Sequence, residues 1–301
     1  MSPASTEQFL LEQYTGHPAS QLQDLRKALY QSVFGCEHLI TDTSAAAEGI
    51  RREAAEAGPC SREIEALDGP WSRVQLGVLA DGLTPETLSR MFARSAAMPH
   101  GDADALQEKL TVLRRLIHSG ALPYSPAEAD AELDDWRKNG FPACRHSEEY
   151  RAAYRPAYRV LHRTYVRLLP LLAAIDRALA ENPRVLLAIE GGAASGKSTL
   201  ADLLTAIYPD TALFHADDFF LRPEQRTAAR YAQPGGNLDR ERLESEILIP
   251  ISRNEAAVYR PFNCRTLSLR EPVTVLPGRL NIVEGSYSFH PELARYYDLS
   301  V

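Results

Sequence analysis

Eight consecutive residues, Gly191 to Ser198, constrain the fold of this chain more than any other stretch. They read Gly-Gly-Ala-Ala-Ser-Gly-Lys-Ser and fit the pattern G-x-x-x-x-G-K-[ST] without a mismatch. The uninterrupted apolar run at 185–189 favours a buried strand of a parallel sheet, and a helical segment at 199–207 follows the motif. A strand, a glycine-rich turn and a helix in this order predict a phosphate-binding loop in an α/β domain.

The chemistry of such a loop gives its residues definite roles. Glycines let backbone N–H groups turn onto phosphate oxygens, and the helix N-terminus adds roughly half a positive charge. Lys197 is expected to reach the β- and γ-phosphates, and the Ser198 hydroxyl is expected to bind Mg²⁺. The predicted ATP-binding residues are Gly191, Gly192, Ala193, Ala194, Ser195, Gly196, Lys197, Ser198 and Thr199. The alternative is a glycine-rich turn without a ligand; a dinucleotide fingerprint is excluded because Ala193 replaces its middle glycine.

Acidic residues stand at the ends of two further predicted strands. Asp217 and Asp218 follow the apolar pair at 213–214, and Glu284 follows Ile282-Val283. Because parallel strands present their carboxyl ends at one edge of the sheet, we expect these acids near the loop. Phosphoryl transfer to a hydroxyl needs a metal and a base, which carboxylates can provide. The alternative is that each acid caps the next helix.

From about residue 184 to 301 the chain resembles the uridine kinase and phosphoribulokinase family of P-loop kinases. Besides the phosphate loop, the resemblance rests on the following segments: Asp217-Asp218-Phe219-Phe220, Asn237-Leu238-Asp239, Tyr259-x-x-Phe262, Val283-Glu284-Gly285, Pro291-Glu292-Leu293 and Tyr297-Asp298-Leu299. It implies an α/β P-loop NTPase domain that transfers the γ-phosphate of ATP, with Mg²⁺, to a hydroxyl of a nucleoside- or sugar-like acceptor. Open alternatives are a plain NTPase and a nucleotide-sensing or RNA-contacting module.

The same resemblance implies catalytic, metal-binding and acceptor-binding roles for residues in the loop and beyond it. Asp217 is expected to be the general base, with Lys197 as the second catalytic residue. The metal ligands implied are Ser198, Asp217 and Glu284. Asp239 and Tyr259 match positions that hold the acceptor, and Arg265 lies in the Asn263-Cys264-Arg265 stretch where uridine kinases place a histidine. The predicted acceptor-binding residues are therefore Asp239, Tyr259 and Arg265.

The resemblance also sets an expectation about the end of the domain. The chain stops at Val301, inside the fourth predicted strand, whereas family members continue through an arginine-bearing lid. We therefore expect a P-loop domain truncated at its C-terminus, from a fragment or a degenerate kinase, which binds Mg·ATP but transfers phosphate slowly.

Residues 1–180 follow a helical pattern instead. Leu22, Leu25, Leu29 and Val33 fall on one helical stripe, and Gly35 is typical of the end of such a helix. We predict an all-α domain of unassigned role at 1–180, followed by the kinase-like ATP-binding domain at 181–301.

Arginine recurs every fourth residue near the end of the helical half, at 151, 155, 159, 163 and 167. On a helix this spacing predicts a basic ridge, from Arg151 to Arg167, beside a row of tyrosines. Such a ridge is either a solvated face or a surface that grips a phosphate or a base. It is the one feature that leaves room for a nucleic-acid partner.

Two Cys-x-His pairs form a second pattern in the helical half. Cys36 precedes His38, and Cys144 precedes His146, with one residue between the members of each pair. In extended backbone both pairs could close a Cys₂His₂ zinc site, although buried structural cysteines are the commoner case. Both interpretations stay open from the sequence.

Composition bounds the remaining possibilities. Thirty-three basic residues against forty acidic ones give a net charge of −7, which argues against nucleic-acid binding over the whole surface. No stretch of about eighteen apolar residues occurs, and the first seven residues lack the basic start and apolar core of a secretory signal. The four cysteines form no C-x-x-C pair. We predict a cytoplasmic protein whose partners are ATP and a small hydroxyl acceptor, with no membrane.

Overall fold

The computed structural model describes residues 3–36, 42–58 and 60–301. The chain divides into two compact units, Met1–Ala173 and Ala174–Val301. The division falls a few residues before the predicted domain boundary at 180. None of the described helices is long and apolar enough to cross a membrane.

The first unit is built mainly of helices, as the sequence predicts. They are α1 (Pro3–Gly16), α2 (Leu22–Phe34), α3 (Thr43–Ala57), α4 (Pro85–Ala96), α5 (Ala103–His118), α6 (Pro126–Lys138), α7 (Glu148–Tyr154) and α8 (Arg163–Val166); α9 (Leu169–Glu181) follows and contains the division between the units. Apolar side chains of α1, α2, α5 and α6 form its core, among them Leu10, Leu25, Leu29, Leu106, Leu110, Leu113 and Leu133. The predicted stripe of α2 is confirmed, because all four of its apolar residues are buried.

A three-stranded antiparallel sheet corrects the prediction that the first unit is all-α. Its strands are β1 (Ile64–Ala66), β2 (Trp71–Gln75) and β3 (Tyr158–His162), in the order β1-β2-β3. The strands β2 and β3 pair over five residues, although 82 residues, 76–157, lie between them in the chain. Pairing over such a separation leaves no local signature, so the helical periodicity of the surrounding residues hid it.

The arginine ridge predicted from Arg151 to Arg167 is also wrong as a single helix face. Helix α7 ends at Tyr154, Arg155 adopts a left-handed φ of 43°, and β3 begins at Tyr158. Pro156 explains the break, because a proline disfavours the α conformation at the residue before it and cannot donate a backbone hydrogen bond. The arginines therefore lie on α7, its cap, β3 and α8 rather than in one row.

The second unit has a parallel sheet flanked by helices, as predicted. Its elements are β4 (Val185–Glu190), α10 (Lys197–Ile207), β5 (Thr211–His215), α11 (Ala228–Tyr231), α12 (Arg240–Leu243), α13 (Ile249–Ser252), β6 (Ala257–Tyr259), β7 (Phe262–Asn263), β8 (Ser268–Leu269), β9 (Val273–Val275), β10 (Leu280–Gly285) and β11 (Leu299–Ser300). The four parallel strands lie in the order β11-β4-β10-β5, and two short antiparallel pairs, β6-β9 and β7-β8, lie outside this sheet. A π-helical turn, Glu244–Leu248, joins α12 to α13. The wider turn fits the proline that follows, because Pro250 cannot donate a hydrogen bond to the carbonyl four residues back.

The register of this sheet brings several of the predicted site residues to one edge. Strand β10 lies between β4 and β5 and pairs with both in parallel. Glu284, near the end of β10, is in register with Ile189 on one side and with His215 on the other. The segments that leave β4, β5 and β10 at their carboxyl ends therefore start side by side.

Candidate functional site

The predicted phosphate loop connects β4 to α10 by a tight turn. Ala194 and Gly196 have left-handed φ values of 57° and 93°, which reverse the backbone twice before α10 begins at Lys197. A Cβ at position 191 would lie 2.7 Å from Ser195 Oγ, so a larger residue there would force the serine side chain to rotate away. Alternating backbone conformations of this kind point successive N–H groups into one concave surface.

This loop surface is positively polarised and open to solvent. The first N–H groups of α10, at Lys197, Ser198 and Thr199, have no acceptor within the helix, because a helix leaves its first turn of donors unpaired. The helix dipole adds partial positive charge at the same end. Lys197 Nζ donates to the Gly192 carbonyl at 2.8 Å, which holds the ammonium across the loop. Residues 192–196 are exposed, so an anion can reach these donors.

Glu284 lies directly beside the loop. Its carboxylate is buried, with 6 % of the residue exposed, and its Oε1 accepts from Ser198 Oγ at 3.4 Å. The same oxygen lies 2.7 Å from His215 Nδ1, which stands on the neighbouring strand β5. The structure therefore brings together Ser198 and Glu284, two of the three predicted metal ligands.

Sequence reasoning missed His215. The residue ends β5, immediately before the Ala216-Asp217 pair, and its side chain is about half exposed. The parallel register sets His215 beside Glu284, so the only signal that could have found it is the alignment of the two strand ends. A histidine within hydrogen-bond distance of a buried carboxylate orients that carboxylate and keeps its second oxygen available.

Asp217 and Asp218 occupy one 3₁₀ turn, Ala216–Phe219, that begins where β5 ends. Asp217 is exposed, whereas Asp218 is half-buried. Burial raises the pKa of Asp218, and the charge of Asp217 raises it further, although His215, Arg270 and Arg242 act in the opposite direction. The turn therefore presents one open carboxylate and one that is held against the protein.

The three predicted acceptor-binding residues have different environments. Asp239 is only 1 % exposed and caps α12, since its Oδ1 accepts from the backbone N–H of Arg242 and its Oδ2 accepts from Gln225. Tyr259 is buried, and its ring stacks on Phe219 at 5.4 Å between centroids. Burial raises the pKa of its hydroxyl, and the charge of Asp218 raises it further. Arg265 lies exposed between β7 and β8. Across the described residues, no hydrogen bond or ion pair joins Asp239 or Arg265 to the phosphate loop.

The Cys-x-His pairs lie in the first unit and belong to a different environment. Cys36, Cys144 and His146 line one pocket, while His38 lies outside the described residues. His146 uses both ring nitrogens, with Nδ1 2.8 Å from Asp24 Oδ1 and Nε2 2.6 Å from the Tyr158 hydroxyl. In this arrangement His146 offers no nitrogen to a zinc ion, and the described ranges contain no group of three side chains suited to hold a metal.

Comparison with known proteins adds one structural similarity. Neither a protein-family model nor a curated protein matches the chain. Among solved structures, a match is the "Structure of a Possible Uridine Kinase from Bacillus stearothermophilus", which is 19% identical and has a TM-score of 0.36. The match covers 43% of this chain and 79% of that one.

Proposed function

We propose that the Ala174–Val301 unit binds ATP with Mg²⁺ and transfers the γ-phosphate to a hydroxyl of a nucleoside- or sugar-like acceptor. The observation that carries this proposal is the contact between Ser198 Oγ and Glu284 Oε1 at 3.4 Å, at the first turn of α10. A hydroxyl and a buried carboxylate, side by side at the end of a phosphate loop, are the parts that a metal-bound nucleotide needs.

The residues at this edge fit Mg²⁺. The ion prefers oxygen ligands, keeps several waters, and is held in phosphotransferases by one or two protein oxygens together with the nucleotide phosphates. Ser198, Glu284 and the exposed Asp217 supply such oxygens. When bound, the metal would neutralise charge on the phosphates during transfer.

The loop itself would hold the phosphates. The N–H groups of the first turn of α10 and the loop would donate to phosphate oxygens, and Lys197 would exchange the Gly192 carbonyl for a β- or γ-phosphate oxygen. The exposure of residues 192–196 supports this role, because the donors are reachable without unfolding any element.

The acids of the 3₁₀ turn would act on the acceptor. Asp217 is the proposed base because its exposed carboxylate can take the proton of an acceptor hydroxyl. Tyr259 and Arg265 are the proposed acceptor contacts. Asp239 would support the acceptor site indirectly, because its carboxylate already accepts hydrogen bonds from Gln225 and from the first turn of α12.

Calorimetric titration of the full chain with Mg·ATP tests nucleotide binding. Lys197→Ala and Ser198→Ala should weaken binding, whereas Lys138→Ala, which removes an exposed lysine at the end of α6, should not. If Lys197→Ala binds Mg·ATP as tightly as the parent, the loop is not the nucleotide site.

A second assay tests transfer. The chain is incubated with ATP labelled in the γ-phosphate and a panel of nucleosides and sugars, and labelled products are separated from free phosphate. A labelled acceptor supports the proposal. Phosphate release that no acceptor accelerates would make the protein an NTPase, and tight binding with neither product would make it a nucleotide sensor.

A further inference from the structure

The first unit contains a pocket of about 610 Å³ that the proposed kinase chemistry does not use. It lies between α2, α3 and the segment from Ala143 to Val160, and its volume is in the range of pockets that enclose small molecules. Two patterns of the sequence meet at this pocket, because its wall includes both cysteines of the Cys-x-His pairs and arginines of the predicted ridge. The folded chain thus gathers residues that looked unrelated in the sequence.

The wall of the pocket carries an excess of positive charge. Its charged residues are Lys27, Arg145, Arg151, Arg159 and Glu53. Arg159 pairs with Glu53 at 2.5 Å. In the part of the chain that the structure describes, no carboxylate lies within ion-pair distance of Lys27, Arg145 or Arg151. Three cations around one cavity therefore lack an anionic partner among the described residues.

Lys27 is the most enclosed of these cations. Its Nζ donates to the Cys144 carbonyl at 2.8 Å, which leaves further N–H groups of the ammonium for another acceptor. Burial lowers the pKa of Lys27; Cys144 and Asp24 act in the opposite direction, and the charge of Arg73 acts in the same direction as burial. An anion in the pocket would offset this cost.

A chain of hydrogen bonds fixes one polar group in the wall. The Asp24 carboxylate accepts from His146 Nδ1 and from both the backbone N–H and the hydroxyl of Ser147. With Nδ1 donating to an ionised carboxylate, the neutral imidazole accepts at Nε2, so the Tyr158 hydroxyl donates to it at 2.6 Å. The Tyr158 oxygen is thereby held in one orientation at the pocket wall.

A buried guanidinium lies behind the same tyrosine. Arg73 is 1 % exposed, and its Cζ lies 5.2 Å from the centre of the Tyr158 ring. Its Nη1 lies 3.3 Å from the Glu65 carboxylate and its Nε donates to Gln31, but its Nη2 is buried with no partner among the described residues. This cation adds positive potential behind the wall.

We infer that this pocket is a second ligand site, which binds a small organic anion whose phosphate or carboxylate group contacts Lys27, Arg145 and Arg151. The Tyr30 and Phe92 side chains supply apolar surface for the organic part. Arginine forks and a lysine match the oxygens of both anion types, so phosphate and carboxylate ligands share the recognition chemistry.

Three probes with the same ring test the inference: phenyl phosphate, benzoate and benzyl alcohol. They are titrated by calorimetry into the full chain carrying Lys197→Ala, so that the phosphate loop of the other unit does not compete for phenyl phosphate. Saturable binding of phenyl phosphate, of benzoate, or of both supports the site and distinguishes the two anion types. Absence of binding by both anions, or equal binding of benzyl alcohol, overturns it.

Tryptophan fluorescence locates the binding. Both tryptophans of the chain, Trp71 and Trp136, belong to the first unit. Trp71 packs against Gly35, and the ring of Trp136 lies 6.1 Å from that of Tyr30; Gly35 and Tyr30 both line the pocket. Binding should therefore shift the emission with the same midpoint as the calorimetric titration. Anion binding without any change in emission would place the probe elsewhere and contradict the inference.

Matched variants identify the cations responsible. The double variant Arg145→Gln with Arg151→Gln should raise the dissociation constant of the bound anion about tenfold or more, because two charge-assisted contacts are lost. Both side chains are exposed and unpaired among the described residues, so the fold should persist, as circular dichroism can check. Arg52→Gln, which removes an exposed arginine of α3 outside the pocket, should leave the constant unchanged. Equal affinities of the double variant and the parent would refute the site.

The Tyr158→Phe variant is a second control. The proton of the Tyr158 hydroxyl is already donated to His146 Nε2, so the hydroxyl has none left for an anion and the affinity should stay parent-like. A loss of affinity as large as that of the double arginine variant would show that binding does not depend on the cations and would contradict the inference. None of these outcomes requires nucleotide binding, because the residues of the proposed site lie in the first unit.

Discussion

His146 makes the stability of the first unit depend on pH in a predictable way. Its imidazole is buried, stacks flat on the ring of Tyr150 at 4.1 Å, and lies between the Asp24 carboxylate and the Tyr158 hydroxyl. The pKa of His146 is lowered from 6.5 to about 4: burial is the main cause, the hydrogen bond and charge of Asp24 oppose it, and the charges of Arg73 and Lys27 act in the same direction as burial. The folded protein therefore keeps this histidine neutral where the unfolded chain would protonate it.

The size of the effect follows from that difference. At about 1.4 kcal/mol per pKa unit, the lowered pKa of His146 costs about 3 kcal/mol of stability in full, a value reached once the pH lies below the folded-state pKa and both states are protonated. The unfolded state binds more protons between pH 6.5 and about 4, so stability falls as the pH falls through this window. Between about pH 7 and pH 5 we expect a loss of about 2 kcal/mol from this residue.

Titration of Asp24 does not contribute to the change in stability between pH 7 and pH 5. Burial tends to raise its pKa, but hydrogen bonds from His146, Ser147 and the Gln21 backbone outweigh burial, and the net pKa is lowered. A carboxyl with a lowered pKa contributes stability that is lost only when the pH falls through that lowered value. Its contribution is therefore still present at about pH 5.

Urea unfolding followed by tryptophan fluorescence measures the free energy of unfolding of the first unit, because both tryptophans lie in that unit. The control is His146→Asn, whose amide can still donate to Asp24 but does not titrate. The free energy of unfolding should fall between pH 7 and pH 5 by about 2 kcal/mol more in the parent than in the variant. Equal pH dependence in the two proteins would refute the assignment of a buried neutral imidazole.

Four further substitutions, which make three predictions, test other parts of the structure. Asp217→Asn should retain Mg·ATP affinity and lose transfer by about 10²-fold, whereas Glu284→Gln should raise the Mg²⁺ requirement; identical metal titrations of the two variants would contradict this division of roles. Phe219→Ala, at a fully buried side chain, should lower the free energy of unfolding of the second unit by about 3 to 5 kcal/mol, measured by urea and circular dichroism. Gly35→Ala should destabilise the first unit by more than about 1 kcal/mol in the fluorescence assay, because φ is +69° and the new Cβ would lie 2.6 Å from Trp71; an unchanged midpoint would count against the close packing of Gly35 on the indole ring.

Much of the second unit could be predicted because its signals are local. The run 185–189, the glycine-rich turn and the helix after it are consecutive, so the sequence alone indicates their order and type. The remaining parallel strands each appear as a short apolar run, and acidic residues follow two of them. Strand β11, expected from Leu299 onward, pairs with β4 as a fourth strand.

Apart from the short β1-β2 pair, the main contacts that the sequence did not reveal join distant positions. Asp24 and His146 are 122 residues apart, and His215 and Glu284 are 69 apart. No periodicity or spacing rule links such pairs, because their approach depends on how whole elements pack. Pro156 in the sequence indicates a bend, but nothing near it indicates that β3 pairs with β2.

The hydrogen bond between Lys197 and the Gly192 carbonyl uses one of the three donors of the ammonium and holds a long, otherwise mobile side chain across the phosphate loop. Two donors remain, so an incoming anion does not have to displace the carbonyl before it can bind. Because the side chain is already held in one place, we expect an anion that binds there to lose less affinity to the ordering of this lysine than it would at a free one.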